Sequence, residues 1–139
     1  MDWKLEVIVI PVSDVDRAKR FYAEQVGFTV DVDHRASDAF RVVQVTPPGS
    51  ACSISFGVGL GDSTPGSVKG LQLVVSDVTA AQAALAGRGV EVSPVRHMDD
   101  GVWADGPGGD WNSFIFFSDP DGNSWTVQQK PAQSAPDAP

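Results

Sequence analysis

The sequence predicts an α+β fold made of two tandem β-α-β-β-β modules. The first observation is the tetrapeptide VSDV, which occurs at residues 12–15 and again at 75–78. The second is that a strand pattern precedes each copy and a helix pattern follows it. The third is that each half ends in two strand-like segments joined by a Pro/Gly turn. One unit used twice therefore accounts for most of the 139 residues.

The first module begins with a strand at residues 5–12, which is rich in β-branched side chains. Ser13 or Asp14 then caps a helix by accepting a hydrogen bond from its free N–H groups. Apolar residues recur at helical spacing as far as Val26, and Gly27 suits the helix end. We expect this helix at about residues 14–26, followed by a strand at 28–32 and a final pair of strands.

The second module repeats this order. Its first strand is residues 71–75, Asp77 is the expected helix cap, and the helix runs over about 77–88 to Gly87 or Gly89. The next strand begins at residues 90–92. The modules thus occupy about residues 3–58 and 68–129 of a single domain, 1–130, and a short Gly/Pro/Ser-rich connector joins them.

Two further segments fall outside the repeat. Residues 96–112 contain four Asp and four Gly residues, which predicts a loop, and this loop carries Trp103 and Trp111. Residues 131–139 are rich in Pro and Ala, which predicts a disordered tail.

The composition limits the classes of partner. A formal charge of −8 argues against nucleic acid or an anionic membrane surface, because both need a basic protein face. Cys52 is the one cysteine, so an intrachain disulfide is excluded. We find no membrane span or signal-peptide pattern, so the cytoplasm is the expected compartment.

Two modules side by side enclose a concave cavity within a curved mixed sheet, with the helices packed on the outer face. A cavity of this kind predicts a small-molecule ligand. Alternation along the first and last strand of each module predicts which side chains form its wall. These are Val7, Val9, Ser53, Ser55, Gln72, Val74, Thr126 and Gln128.

The segments VSDVDRAKRFYAEQVGF and SDPDGNSWTVQ, together with the repeat, resemble the vicinal oxygen chelate superfamily, which includes glyoxalases and bleomycin-resistance proteins. The resemblance implies four metal-ligand positions on the first and last strands, usually His, Gln or Glu. In this chain they correspond to Val7, Ser53, Gly70 and Thr126. Because these side chains are poor ligands for zinc, iron or nickel, we expect no metal and no cofactor.

The remaining candidates leave alternatives open. His34 is expected in a polar hairpin at the surface. His97 is the weak catalytic candidate, since Asp99 and Asp100 follow it closely and such a set is suited to acid–base work. Trp103 and Trp111 can cap the cavity mouth, pack a dimer interface or anchor their loop. We expect at least one of them to contact the ligand.

We therefore predict a metal-independent small-molecule-binding protein of the glyoxalase/bleomycin-resistance type, which sequesters or recognises a drug or metabolite. One alternative is a glyoxalase-like lyase, isomerase or dioxygenase that uses a relocated metal or His97. The other is a dimeric interaction module with a filled cavity. The resemblance also implies a homodimer, and the sequence leaves open whether modules pair within a chain or between chains.

Overall fold

The computed structural model describes residues 1–132, and the part of the predicted tail from 133 onward lies outside them. The chain forms an α+β fold with two curved, open mixed sheets and two α-helices, as predicted. Within the described residues, no helix is long and apolar enough to cross a membrane. The fold divides into two compact units, which are unit 1 (residues 1–69 and 118–124) and unit 2 (70–117 and 125 onward).

Unit 1 contains a four-stranded sheet in the order β1-β4-β3-β2. Strand β1 pairs with β4 in parallel, and the other pairs are antiparallel. The strands are β1 (Val7–Val9), β2 (Thr29–Ser37), β3 (Phe40–Thr46) and β4 (Ser53–Val58). Helix α1 (Val15–Arg20) continues as a π-helical segment, Phe21–Val26.

The predicted helix signals in unit 1 are confirmed. The Asp14 carboxylate accepts a hydrogen bond from the N–H of Arg17 at 3.0 Å. At the other end, Gly27 has φ +94°, a left-handed conformation that suits glycine. Tyr22 on the π-helical segment packs against Phe28 and Phe56, with ring centroids 5.9 and 5.6 Å away. The helix therefore covers the face of the sheet to which Phe56 points.

Unit 2 contains a five-stranded sheet in the order β5-β9-β8-β6-β7, with β5 parallel to β9. The strands are β5 (Leu71–Val75), β6 (Arg96–Asp99), β7 (Val102–Asp105), β8 (Phe114–Ser118) and β9 (Ser124–Gln129). Helix α2 (Val78–Gly87) is capped by Asp77, as predicted. The core of unit 2 includes the buried side chains Ile115, Phe117, Trp125 and Val127 of β8 and β9.

The structure corrects three local predictions. Residues 96–112 are not simply a loop, because β6 and β7 form an antiparallel hairpin there. The strand expected from residue 90 is reduced to one bridge, between Val92 and Phe117. His34 does not lie in a hairpin turn but within β2, opposite Val42. Strand β2 is longer than predicted because charged side chains are tolerated where a strand is solvent-exposed, as this one is.

A buried ion-pair cluster fixes β2 and β3 to α1 on the helix side of unit 1. Arg41 is 8% exposed and donates to Asp33 at 3.0 Å and to Asp16 at 2.8 Å. Hydrogen bonds from Arg41 and from Lys19 hold the pKa of the Asp33 carboxyl far below its usual value. Arg41 and Lys19 are therefore already paired with carboxylates on that face.

The buried carboxylate of Asp119 organises the turn between β8 and β9, which belongs to unit 1. One oxygen, Oδ1, accepts from the N–H groups of Asp121 at 3.0 Å and Asn123 at 2.9 Å. The other, Oδ2, accepts from the Tyr22 hydroxyl and the Asn123 amide, both at 2.8 Å. A buried carboxylate with four donors has its loss of hydration offset. The turn is thus bound to the π-helical segment of unit 1.

Asn123 and Gly66 extend this attachment. The Asn123 amide donates to the carbonyl of Pro11 at 2.8 Å and accepts from the N–H of Val68 at 3.1 Å. Gly66 approaches so closely that a Cβ there would lie 2.0 Å from the carbonyl oxygen of Asp121. The connector and the turn therefore pack backbone to backbone, which requires glycine at this position.

Replacing Tyr22 with Phe tests the buried carboxylate. The change keeps the ring and removes one hydrogen bond to a charged acceptor, which contributes about 1.5–3 kcal/mol. We expect the free energy of unfolding, measured with urea, to fall by about that amount. Ser13→Ala is the control, because it removes an exposed hydroxyl bond to Asp121 and we expect a loss below about 1 kcal/mol. Equal losses in the two variants would contradict this account.

Candidate functional site

Strand β8 presents two aromatic side chains on the face of the unit 2 sheet opposite its core. Ile115 and Phe117 are buried on one face, so alternation turns Phe114 and Phe116 to the other, where both are half-buried. Their rings are nearly parallel, with centroids 6.3 Å apart and an interplanar angle of 10°. This second face is called the open face of unit 2.

Trp103 completes an aromatic cluster on that face. The β6–β7 hairpin pairs Trp103 with Met98, and β6 pairs with β8 through Arg96 and Phe114. The indole stands edge-on to both phenyl rings, with centroids 5.3 Å from Phe114 and 5.1 Å from Phe116. These spacings are those of favourable edge-to-face pairs. Trp103, Phe114 and Phe116 are called the aromatic platform.

Two glutamines form a hydrogen-bonded chain beside the platform strands. The register pairs Gln72 with Thr126 and Val74 with Gln128. Gln72 Nε2 donates to Gln128 Oε1 at 2.6 Å, and Gln128 Nε2 donates to the carbonyl of Trp111 at 2.8 Å. Because a backbone carbonyl can only accept, Trp111 fixes the orientation of both amides. The Oε1 atom of Gln72 is left as an acceptor on the exposed side chain.

Trp111 itself is held in an unfavourable backbone conformation. Its φ is +61°, and its side chain is 51% exposed. The neighbouring Asn112 side chain fixes the segment by accepting from Met98 N–H at 2.8 Å and donating to Met98 carbonyl at 2.9 Å. A left-handed residue other than glycine costs about 1–2 kcal/mol. Local strain of this kind is concentrated at ligand-binding segments.

His97 has a structural partner in the same segment. Its Nδ1 lies 2.8 Å from the carbonyl oxygen of Gly106, so this nitrogen carries the proton. Gly108 packs so close that a Cβ there would lie 2.8 Å from the His97 Cβ. His97 therefore anchors residues 106–108 to β6. An acid–base role for it stays a prediction.

The face of the unit 1 sheet opposite Ile54 and Phe56 of its core is called the open face of unit 1. It carries the other predicted wall residues. The register pairs Val7 with Ser53 and Val9 with Ser55. Both valines are exposed, at 39% and 49%, whereas both serines are buried. Ser53 also lies 2.6 Å from the Thr46 hydroxyl oxygen on β3, and Thr46 in turn donates to the Asp31 carboxylate.

The predicted wall residues thus form two groups, one within each unit. In unit 1 they are Val7, Val9, Ser53 and Ser55, and in unit 2 they are Gln72, Val74, Thr126 and Gln128. Of the predicted tryptophans, Trp103 joins the aromatic platform and Trp111 bonds through its carbonyl to Gln128. The site assignment as a whole stays a prediction.

Four residues on these faces were missed from the sequence, namely Phe114, Phe116, Asp31 and Thr46. The run FIFF gave no signal for the two phenylalanines, because a continuous apolar run is equally consistent with a strand buried on both faces. Nothing in the sequence marked Asp31, which lies at a β-bulge in β2.

The four metal-ligand positions of the resembled family offer few donors here. Val7 has no donor atom and stands beside Ser53, whose hydroxyl is a poor ligand. In unit 2 the register places Gln72, rather than Gly70, opposite Thr126. The donors at these positions are therefore two hydroxyls and one amide, and without an imidazole or a carboxylate they do not fit a divalent zinc, iron or nickel ion. Within residues 1–132, no three His, Cys, Asp or Glu side chains converge on a metal-sized position.

A small cavity of about 170 Å³ lies within unit 1, where β1 ends. Its lining comes from both ends of the module and includes Ile10, Pro11, Gly57 and Leu60. Drug-sized ligands occupy sites of about 300–1,000 Å³. This cavity is therefore too small for such a ligand.

With this fold and these faces, the chain matches the Glyoxalase/Bleomycin resistance protein/Dioxygenase superfamily over residues 4–127. It belongs to that superfamily, which confirms the family resemblance of the sequence. No curated protein matches the chain.

Solved structures similar to the chain come from bacteria. TnmS3, described as an antibiotic binding protein from Streptomyces sp. CB03234, is 35% identical, with a TM-score of 0.74 over 94% of this chain and 98% of that one. A glyoxalase/bleomycin resistance protein from the same organism is 36% identical, with a TM-score of 0.71 over 91% and 100%. A superfamily member from Sphaerobacter thermophilus DSM 20745 is 27% identical, with a TM-score of 0.74 over 93% and 98%.

Two variants at Trp111 test whether its backbone is strained. We expect Trp111→Gly to be more stable than Trp111→Ala by about 1 kcal/mol, because glycine adopts positive φ without a Cβ clash. Thermal unfolding of both variants and of the unmodified protein measures the difference. If Trp111→Ala proves the more stable, the strained conformation is not the one in solution.

Proposed function

We propose that this protein binds a small molecule that contains a flat unsaturated ring system, without the help of a metal ion. The observation that carries the proposal is the aromatic platform on the open face of unit 2. Trp103 is 44% exposed, and Phe114 and Phe116 are half-buried beside it. Aromatic side chains left partly in water on an ordered strand are typical of recognition surfaces.

The platform geometry favours a flat ligand. The indole stands at 79–83° to two phenyl rings that are themselves nearly parallel. The three rings therefore make a right-angled corner. A planar ligand can stack on one wall of this corner while it presents its edge to the other, and both are favourable ring arrangements. An aliphatic ligand gains only the burial of apolar area.

The hydrogen-bonded side-chain amides of Gln72 and Gln128 supply the polar contacts to the ligand. Trp111 fixes the orientation of Gln128, which in turn fixes that of Gln72, so the array needs no rearrangement when the ligand binds. Preorganised groups bind better because less conformational entropy is lost. The remaining acceptor on Gln72 is suited to a hydroxyl or amide N–H of the ligand.

The similar proteins support the same class of ligand. TnmS3, with 35% identity over most of both chains, is described as an antibiotic binding protein. We infer by this likeness that an antibiotic or related metabolite is the ligand, and that binding sequesters it. Metal independence rests on the absence of a donor atom at Val7 and on the weak hydroxyl and amide donors of Ser53, Gln72 and Thr126.

No observation favours the catalytic alternative over binding. The one contact given for the His97 ring is its Nδ1 with the carbonyl of Gly106, which supports an anchoring role within residues 96–112. The alternative of a dimeric interaction module with a filled cavity stays a prediction, since a second copy would cover apolar side chains that are exposed in the single chain, such as Val7, Val74 and Trp103.

We also propose a cytoplasmic homodimer. Strands β1 and β5 each lie at an edge of their sheet. Apolar side chains before β1 are exposed, with Trp3 at 87% and Leu5 at 68%. An unpaired sheet edge next to exposed apolar side chains gives a physical motive for pairing with a second copy.

Isothermal titration calorimetry with doxorubicin tests the proposed function, because this antibiotic carries a planar fused-ring system. Cycloheximide, an antibiotic with neither an aromatic ring nor an amine, is the comparison ligand. We expect doxorubicin to bind and Trp103→Ala to weaken its binding about five- to tenfold, the effect of losing one ring contact worth about 1–1.5 kcal/mol. The melting temperature should also fall, because the edge-to-face contacts of Trp103 with Phe114 and Phe116 are lost, so the titration is run well below it.

Trp3→Ala is the matched control, because it removes a more exposed tryptophan that contacts neither phenyl ring of the platform. It should leave doxorubicin affinity unchanged. Equal affinity of the two variants, or equal binding of cycloheximide and doxorubicin, would contradict recognition by the platform.

A further inference from the structure

We propose that the open face of unit 1 holds a second recognition site, for the protonated primary amine of a small molecule. The site consists of Asp31, Thr46 and Ser53, which are called the Asp31 row. It concerns a different unit and a different chemical group from the aromatic platform, so it goes beyond the proposed function and stands without it.

The three side chains are brought together by strand register. The pairing of Val45 with Ile54 puts Thr46 directly opposite Ser53 on neighbouring strands. Strand β2 has an irregularity between Val30 and Val32, which leaves Asp31 as an extra residue without a partner in the ladder. Bulges of this kind redirect a side chain and are frequent beside functional sites. Here the bulge brings the Asp31 carboxylate within hydrogen-bonding reach of the Thr46 hydroxyl.

The direction of the hydrogen bonds follows from the chemistry of the three groups. A carboxylate can only accept, so Thr46 gives its single hydroxyl proton to Asp31 Oδ2. The Thr46 oxygen must then accept in its contact with Ser53, whose hydroxyl oxygen is 2.6 Å away. Ser53 has used its proton as well. The row therefore has no hydroxyl proton left to donate and presents acceptors only.

A negative charge among acceptors calls for a cationic donor. Asp31 takes part in no ion pair within residues 1–132. The nearby cations Lys19 and Arg41 are bound instead to Asp33, which alternation puts on the helix side of β2. Asp31 Oδ1 has no hydrogen-bond donor in that same range of residues. A primary ammonium offers three N–H donors with one positive charge, which complements this row.

The surroundings of the row favour an organic amine over a bare ion. Val7, Val9 and Val32 are exposed at 39%, 49% and 40%, and strand register gives Val7 and Val9 positions beside Ser53 and Ser55. These side chains can cover the alkyl part of an amine, which an inorganic cation lacks. One carboxylate and two hydroxyls are also a weak ligand set for a divalent ion. The net charge of −8 raises the local concentration of any cationic ligand.

The experiment uses the full ¹⁵N-labelled protein, titrated with n-butylammonium chloride at constant ionic strength and followed by amide chemical shifts. We expect saturable shifts at Asp31, Thr46 and Ser53. Three comparison titrations separate the contributions: n-butanol has the alkyl chain without charge, tetramethylammonium has charge without N–H groups, and magnesium chloride supplies an inorganic cation. We expect each of these to shift the row much less.

Asp31→Asn keeps the shape of the side chain and removes the charge, so binding of n-butylammonium should weaken about tenfold or more. Asp62→Asn is the matched control, because Asp62 is an exposed carboxylate elsewhere in unit 1. The unchanged dispersion of the amide spectrum verifies that both variants fold. Thr46→Val should also weaken binding, since it breaks the hydroxyl chain.

Three results would overturn the Asp31 row as an amine site. They are equal shifts with tetramethylammonium or magnesium, binding that survives in Asp31→Asn, and shifts located elsewhere on the protein. Trp103→Ala separates this proposal from the proposed function, because it should weaken doxorubicin binding and leave n-butylammonium binding unaltered. Either proposal can therefore be shown wrong while the other still holds.

Discussion

The buried carboxylate of Asp119 makes the hydrogen bonds on which the position of the β8–β9 turn depends. Its two oxygens accept four hydrogen bonds, from Tyr22, Asp121 and twice from Asn123. They hold the turn between β8 and β9 within unit 1, although both strands belong almost wholly to unit 2. The turn residues in SDPDGN are therefore required for folding: a charged group in the interior is tolerated because every donor is in place.

The same constraint explains how the open faces come to carry chemistry. The turn ends where β9 begins, so it determines which side chains of β9 point toward the core. Trp125 and Val127 are buried, which leaves Thr126 and Gln128 on the open face. The two open faces then differ in kind. Unit 2 presents rings and oriented amides, whereas unit 1 presents valines, hydroxyls and one carboxylate.

The repeat made much of the fold predictable. The Asp77 cap, a cap at Ser13 or Asp14 and the helix end at Gly27 were readable, because each rests on local chemistry that the sequence shows directly. The β6–β7 hairpin was missed. Its two-residue turn, Asp100-Gly101, has positive φ at both residues and is the sequence signal of a type I′ hairpin, which the Asp/Gly-rich composition of the segment obscured.

The site was less predictable than the fold, for a physical reason. Strand alternation identified one face, but it could not tell which aromatic residues lie there. Phe114 and Phe116 have the composition of core residues, and their position depends on the register of β8. Asp31 depends on a bulge, and the strain at Trp111 depends on hydrogen bonds made by Gln128 and Asn112. Such features arise from tertiary contacts, which a sequence pattern does not contain.

The most direct test of ligand recognition by the aromatic platform is a crystal structure of the protein grown with doxorubicin. We expect the planar rings of the compound to lie in van der Waals contact, about 3.5–4 Å, with Trp103 and with Phe114 or Phe116. Density for the compound at the cavity beside Leu60, or on the outer surface of α1, with the aromatic platform left uncovered, would contradict it.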